Sequence, residues 1–131
     1  MKKLQVKTSQ TVQFINIDRD VRKIISDSGV SDGICVVFVP HTTAGVTINE
    51  NADPDVVRDM AMEINKIVPF SDNYHHMEGN SAAHIKSSLF GPSISIIIEN
   101  GRPVYGTWQS LYFCEFDGPR NRTCLVKVIE G

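Results

Sequence analysis

Residues Ser93–Glu130 read SISIIIENGRPVYGTWQSLYFCEFDGPRNRTCLVKVIE, and this stretch decides the fold class. Three apolar runs are broken by Asn100-Gly101, the signal for a two-residue hairpin turn, and by Asp117-Gly118-Pro119-Arg120-Asn121, a second turn. SISIIIE, PVYGTWQSLYFCEF and TCLVKVIE are therefore expected to run as consecutive antiparallel strands. Trp108, the only tryptophan, falls in the middle run and is expected in the core, because an indole buries a large area. Gly106 beside it suggests a bulge or a close backbone approach.

Working back toward the N-terminus adds helices and more strands. Residues 4–17 alternate loosely and read as an opening pair of strands. Asp18 is expected to cap a helix whose Val21, Ile24 and Ile25 share a face, with Ser28-Gly29 as its stop. GICVVFVPH is a continuous apolar run, expected as a buried strand ending at His41. VTINEN resumes a strand, and Asp53-Pro54 is a strong helix start. Val56, Val57, Met60, Ile64 and Ile67 form one face of that helix, which ends before Pro69. Residues 69–80 are polar loop, and Ser81 is expected to cap a short helix through Ala82, Ala83, Ile85 and Leu89, closed by Gly91-Pro92. The order implies a single α+β domain over residues 1–131: mostly antiparallel sheet, sandwich- or barrel-like, with about three helices.

Composition narrows the function classes. The chain has 131 residues, 41% of them hydrophobic and 21% charged, with a net charge of −2 and no basic block, so no nucleic-acid footprint is expected. No apolar stretch approaches a membrane span, and the N-terminus lacks an apolar signal core, so no membrane association is expected. Cys35, Cys114 and Cys124 are spaced singly in strand-like segments. They read as buried thiols of a cytoplasmic protein rather than a disulfide framework or a cysteine zinc site.

Chemistry concentrates in Tyr74–His84, YHHMEGNSAAH, which holds three of the four histidines; the fourth, His41, opens HTTAG just after a strand. Three imidazoles plus water is a common catalytic zinc arrangement. The spacing of His41, His76 and His84 matches no short-range metal motif, so turn packing, a metal and acid/base chemistry all fit it. Glu50 ends a strand without an evident structural duty, which suits orienting a histidine or acting as a general base. Glu78 either faces His76 or is an exposed loop charge, and Asp53 is accounted for as a helix cap. Thr42, Thr43, Lys86, Ser87, Ser88, Arg120 and Arg122 form a group able to hold an anion, with arginine clamping phosphate in bidentate fashion.

Four blocks carry a resemblance: HTTAGVTINENADPDVVRDM, YHHMEGNSAAHIKSSLFGPS, NGRPVYGTWQSLYFCEFDGPR and the final VKVIEG. In order and spacing they resemble the YjbQ family, also called the secondary thiamine-phosphate synthase family. The resemblance implies a compact α+β domain that assembles as a homotrimer, with a metal-associated pocket of three histidines, here His41, His76 and His84. His75 occupies a variable position. Glu50, Asn51, Asp53, Trp108, Gln109, Asp117 and Arg120 fall on other motif positions. Among these Glu50, Asp117 and Arg120 are the catalytic candidates. Thr42, Thr43, Asn51, Lys86, Ser87, Trp108 and Gln109 are the substrate- or phosphate-binding candidates. The activity implied is weak joining of an aminopyrimidine diphosphate to a thiazole phosphate, with release of pyrophosphate. A divalent ion, zinc by its donors, would be the cofactor, since imidazoles favour zinc, copper, iron or nickel over magnesium. Diphosphate transfer ordinarily uses magnesium, so this activity is read as secondary to another reaction. A non-catalytic module that holds a metal or phosphorylated metabolite at a subunit interface is the alternative.

Overall fold

The computed structural model describes residues Met1–Gly131. Eight strands and three helices follow in the order β1 (Lys2–Lys7), β2 (Gln13–Asn16), α1 (Asp18–Ser28), β3 (Gly33–Phe38), β4 (Ala44–Glu50), α2 (Pro54–Ile67), α3 (Ser81–Phe90), β5 (Ser93–Glu99), β6 (Arg102–Pro103), β7 (Gln109–Glu115) and β8 (Asn121–Glu130). All pairings are antiparallel. A five-stranded sheet has the order β1-β8-β3-β5-β6, and a three-stranded sheet the order β2-β7-β4. The α+β expectation holds: one domain, three helices and antiparallel sheets.

The core lies where the inward faces of the two sheets meet α1. Val21, Ile25, Val37, Leu111 and Phe113 are wholly buried there, with Val46 and Val126 nearly so. Fully burying side chains of this size contributes roughly 1.5–3 kcal/mol each. Cys35, Cys114 and Cys124 are free and buried, as their spacing implied. Asn100 (φ 53°) and Gly101 (φ 74°) make the hairpin turn with the two positive φ angles that Asn-Gly supplies.

Several local readings are corrected. The opening strands form but do not pair with each other: β1 joins β8, whereas β2 joins β7 in the other sheet. Asp18 does not cap α1; its N–H donates to the Asn16 carboxamide at 2.9 Å, and its carboxylate accepts from Arg22 at 2.6 Å. GICVVFVPH is buried on one face only, since Ile34 and Phe38 stand on the outer face of the five-stranded sheet. PVYGTWQSLYFCEF is not one strand. It splits into the two-residue β6 and the strand β7, and Trp108 sits in the intervening turn, 62% exposed rather than in the core. The Asp53 cap is as expected, accepting from the Asp55 N–H at 2.9 Å. Yet α2 buries no residue fully, so its apolar face rests at the periphery.

Helix α3 begins at Ser81 rather than being capped by it, with Asn80 in the cap position and no side-chain cap bond, and it inverts the usual amphipathic rule. Ile85 and Leu89 are exposed, whereas Ala82, Ala83, Lys86 and Ser87 face inward. Small residues at 82 and 83 let the helix lie close to the three-stranded sheet, where Ala83 packs with Cys114 and Phe116. Its end is tied to β4, because the Val46 N–H donates to the Gly91 carbonyl at 3.1 Å. A Cβ on Gly45 would stand 2.8 Å from that same carbonyl oxygen, so the contact requires glycine. These ties place the start of α3, and the histidine loop before it, at one end of the three-stranded sheet.

Candidate functional site: a histidine cleft beside a buried ion pair

The foundation of this end is Glu115, the last residue of β7, which is wholly buried. A buried carboxylate needs a full set of donors. Glu115 takes them from Arg122 Nε at 2.9 Å, a second short contact from Arg122 Nη2, the Thr8 hydroxyl at 2.7 Å, and the N–H groups of Phe116 and Asp117 at 3.1 and 3.0 Å. Burial pushes its carboxyl upward, but Arg122 and the hydrogen bonds outweigh that and hold it below the usual carboxylate range. Arg122 Nη2 also donates to the Thr43 hydroxyl at 2.9 Å. One ion pair thus joins the residue after β1, the HTTAG loop, β7 and β8.

Above it stands the DGPR turn. Arg120 donates from Nη2 to the Asp117 carboxylate at 2.8 Å and from Nε to the Asp117 carbonyl at 2.8 Å, and its N–H donates to the Thr8 hydroxyl at 2.8 Å. Asp117 also accepts from the Asn80 carboxamide at 3.0 Å. Asn80 directly precedes α3, so this bond fastens the histidine loop to the turn. The other Asn80 side-chain atom, Oδ1, is buried without a partner.

Asn73, Tyr74, His75, His76, Ser81, His84 and Ile85 line an open cleft of about 450 Å³. The Tyr74 hydroxyl donates to the Pro69 carbonyl at 2.5 Å and stiffens the loop. His76 and His84 meet edge-on with ring centroids 5.5 Å apart. Two imidazoles bound tetrahedrally to one zinc, at Zn–N of about 2.0–2.1 Å, place their centroids about 5 Å apart. The pair therefore suits a shared ion. Glu78 lies at the rim, its Oε2 3.8 Å from His76 Nε2.

His41 does not join them. It lies beyond the end of β3, and its Nε2 accepts the Thr123 N–H at 3.0 Å. A lone pair used this way is not available to a metal, and burial together with the Arg122 charge pushes the imidazole below its usual range, favouring the neutral ring. No group of three or more His, Cys, Asp or Glu side chains within the chain is arranged to hold a metal ion. Two of the three expected ligands converge, and the third does not.

The remaining candidates divide between places. Thr43 is buried on Arg122. Ser87 is buried and donates to the Ala44 carbonyl at 2.6 Å. Lys86 is wholly buried, donating to the Asn65 carboxamide at 2.6 Å with its ammonium 4.2 Å from the Phe70 ring centroid. Burial pushes its pKa down. Thr43, Lys86 and Ser87 thus bind structure rather than present themselves to a ligand, while Thr42 is exposed. Glu50, Asn51, Trp108 and Gln109 lie at the opposite end of the three-stranded sheet. In the β4–β7 ladder Ala44 faces Glu115 and Glu50 faces Gln109. Six residue steps at about 3.4 Å each separate the two ends by about 20 Å.

Glu115, Thr8 and Asn80 escaped the sequence reading. The signal for Glu115 was present: a single carboxylate inside the apolar run LYFCEF demands a buried cation, and Arg122 lies across the following turn.

A model of the family described as "UPF0047 protein YjbQ-like" matches residues 2–131. The chain belongs to the YjbQ-like UPF0047 family. Among YjbQ-like proteins it is 50% identical to the UPF0047 protein YugU of Bacillus subtilis over 130 residues, covering 98% of each chain. It is 52% identical over 127 residues to a UPF0047 protein of Methanocaldococcus jannaschii, covering 97% of this chain and 92% of that one. A crystal structure of a YjbQ/UPF0047 protein from Clostridium acetobutylicum superposes with a TM-score of 0.97 at 57% identity, covering 98% of this chain and 100% of that one. A protein from Sulfolobus solfataricus described as of unknown function shares 28% identity with a TM-score of 0.95, covering 99% of this chain and 96% of that one. The YjbQ-like fold therefore persists where sequence identity is low. As for membranes, no helix is long and apolar enough to cross one.

Proposed function

We propose that the chain is an enzyme acting on a small phosphorylated substrate at the His76–His84 cleft with a divalent ion, zinc by its donor chemistry, and that thiamine-phosphate synthesis from the aminopyrimidine diphosphate and the thiazole phosphate is a weak activity of that site. The observation that carries the reading is the edge-on imidazole pair at 5.5 Å, in the wall of an open cleft. A bound ion would supply charge neutralisation for a departing diphosphate. His76 and His84 would hold it. Arg120, fixed on Asp117 but half exposed, turns the rest of its guanidinium toward solvent, where a phosphate can be bound. Asp117 sets the position of both Arg120 and the loop that carries His76.

Assembly as a homotrimer belongs to the same reading. On the outer face of the five-stranded sheet Ile34 stands between Ile97 and Ile129 across three adjacent strands, and all three are about half exposed or more. Apolar side chains contiguous in this way mark an interaction surface.

Two measurements test the proposal. Tag-free protein should retain or take up zinc, and a His76→Ala/His84→Ala variant should not; equal, near-zero metal in both after zinc loading refutes the ion. Purified protein should form thiamine phosphate from the two precursors well above the double variant, and a yield no higher than the variant's removes that activity. The binding-module reading draws support from one observation: Glu50, the general-base candidate, lies about 20 Å along the β4–β7 ladder from Glu115, next to the turn that fastens the histidine loop. It predicts a tight stoichiometric ligand and no turnover across a panel of phosphorylated compounds.

A further inference from the structure

The Glu50 end of the three-stranded sheet is the part of the molecule that contacts within the chain leave unexplained. Trp108 is the chain's single tryptophan, and 62% of it is exposed. The backbone beneath it is nonetheless pinned. The Asn51 N–H donates to the Trp108 carbonyl at 3.0 Å, the Gly106 N–H to the Gln109 carboxamide at 2.7 Å, and the Tyr112 hydroxyl to the Glu50 carbonyl at 2.9 Å. A fixed frame holds an indole out in water. None of the molecule's five cavities is lined by Glu50, Asn51, Trp108 or Gln109, so this end is a projection and not a pocket.

The histidine cleft is its converse. It is a hollow walled by three imidazoles, with the Glu78 carboxylate at its rim 3.8 Å from His76. Two of those imidazoles stand as if to share an ion, and no third donor group completes the set within the chain. Beside the hollow, Ile85 and Leu89 of α3 are exposed apolar side chains without partners in the chain's own core. An aromatic projection with a carboxylate offers an oxygen donor and an apolar cover, the two things that an imidazole hollow with an apolar rim can take up.

We propose that the tip of one copy of this chain enters the His76–His84 cleft of a second copy, where Glu50 supplies the third donor to the histidine pair and Trp108 covers the hollow against Ile85 and Leu89. The proposal rests on the histidine-cleft reading above and says what finishes that site. Within one chain the two ends are about 20 Å apart along the β4–β7 ladder and cannot meet. The contact joins two different surfaces, so it is heterologous and closes only as a ring, which the expected trimer provides. The Glu50 general-base candidate then serves a neighbour's cleft, not its own.

Trp108 reports the contact directly, because no other indole contributes to the emission. At assembly concentration the full chain should emit as a covered indole and shift to the red on dilution. Ile85→Glu, on the exposed wall of the cleft, should emit as an exposed indole at every concentration. Wild-type emission that is exposed throughout, or an Ile85→Glu variant identical to it, overturns the proposal. Co2+ titration of the tag-free protein reads the donor set. Glu50→Gln and His84→Ala should each bind Co2+ at least tenfold more weakly than wild type. Refolded together in equal amounts they should recover about a quarter of the wild-type sites, because a quarter of ring interfaces pair an intact cleft with an intact tip. No recovery, or a Glu50→Gln variant that titrates like wild type, overturns the role of Glu50. A wild type that binds no Co2+ while Trp108 is covered counts against the metal reading and for the contact.

Discussion

Glu115 and Glu50 mark opposite ends of the same β4–β7 ladder, and they live in opposite conditions. Glu115 is wholly buried and takes hydrogen bonds from Arg122, Thr8 and two backbone N–H groups. The Glu50 end leaves an indole in water and a carboxylate without a side-chain partner. One end is complete within the chain, so its polar residues are scaffold. At the other, the bonds of Gln109 and Tyr112 go to the backbone, and Glu50 and Trp108 are left for a ligand or another copy. Polar residues from the same sequence blocks thus do different work, and satisfaction of their hydrogen bonds tells the two kinds apart.

The largest effect should come from breaking the complete end. Arg122→Ala leaves Glu115 buried with its charge uncompensated, a loss of about 3–5 kcal/mol in unfolding free energy by denaturant titration. The double variant Glu115→Leu/Arg122→Met should recover most of that, since a well-packed apolar pair can replace a buried ion pair. A single-variant loss below about 1 kcal/mol would mean that the pair is not the foundation described. The pH dependence follows the same group. Its folded pKa lies below the usual range, so its contribution is present above the unfolded value of about 4.3 and is lost as pH falls through the folded value. Wild-type stability should therefore decline below about pH 4.5, and that part of the slope should vanish in the double variant.

Gly118→Ala probes the same end through the backbone. An added Cβ would stand 2.2 Å from the Gln10 carbonyl oxygen and 2.9 Å from the Thr8 hydroxyl that serves Glu115. The turn must shift, at about 1–3 kcal/mol or more, and Asp117 shifts with it. The loss should appear in thermal unfolding and be accompanied by weaker metal uptake at the histidine loop, which Asp117 fastens through Asn80. An unchanged melting temperature would contradict the packing around the turn.

Lys86→Met ranks third. The lysine is wholly buried on an amide oxygen and an aromatic face, with no carboxylate beside it. Methionine fills similar volume without the cost of desolvating a charge, so stability should rise by about 1 kcal/mol at neutral pH. Loss of more than that amount would show that the ammonium holds α3 to α2 more strongly than its contacts indicate.

Sequence and structure agree at two local signals, though not at the Asp18 cap. Asn100-Gly101 and Asp53-Pro54 each contain their own turn or cap chemistry, so they could be placed without any tertiary contact. The disagreements arise where tertiary packing decides. Ile85 and Leu89 are the large aliphatic side chains of α3, yet Ala82 and Ala83 face the sheet because only small side chains allow that close approach. Trp108 read as core because period-2 patterning does not reveal that the strand is interrupted after Pro103. In the site, the pairing of His76 with His84 was legible from one loop and one helix. The distance of Glu50 and Trp108 from that pair was not, because it depends on β4 and β7 running past each other over their full length.

The smallest effect is expected at the incomplete end, and it tests the comparison most narrowly. Trp108→Ala removes an indole that is 62% exposed and whose backbone carbonyl, not its side chain, holds Asn51. At concentrations low enough to keep the chain unassembled, its unfolding free energy should match wild type within about 0.5 kcal/mol, the usual range for a surface change. Raising the concentration should separate the two proteins, because wild type then gains stability by mass action and the variant gains less. A concentration-independent loss above about 1 kcal/mol would place the indole in the chain's own packing. The two ends of the ladder would then be alike, and the tip would have no contact left to make.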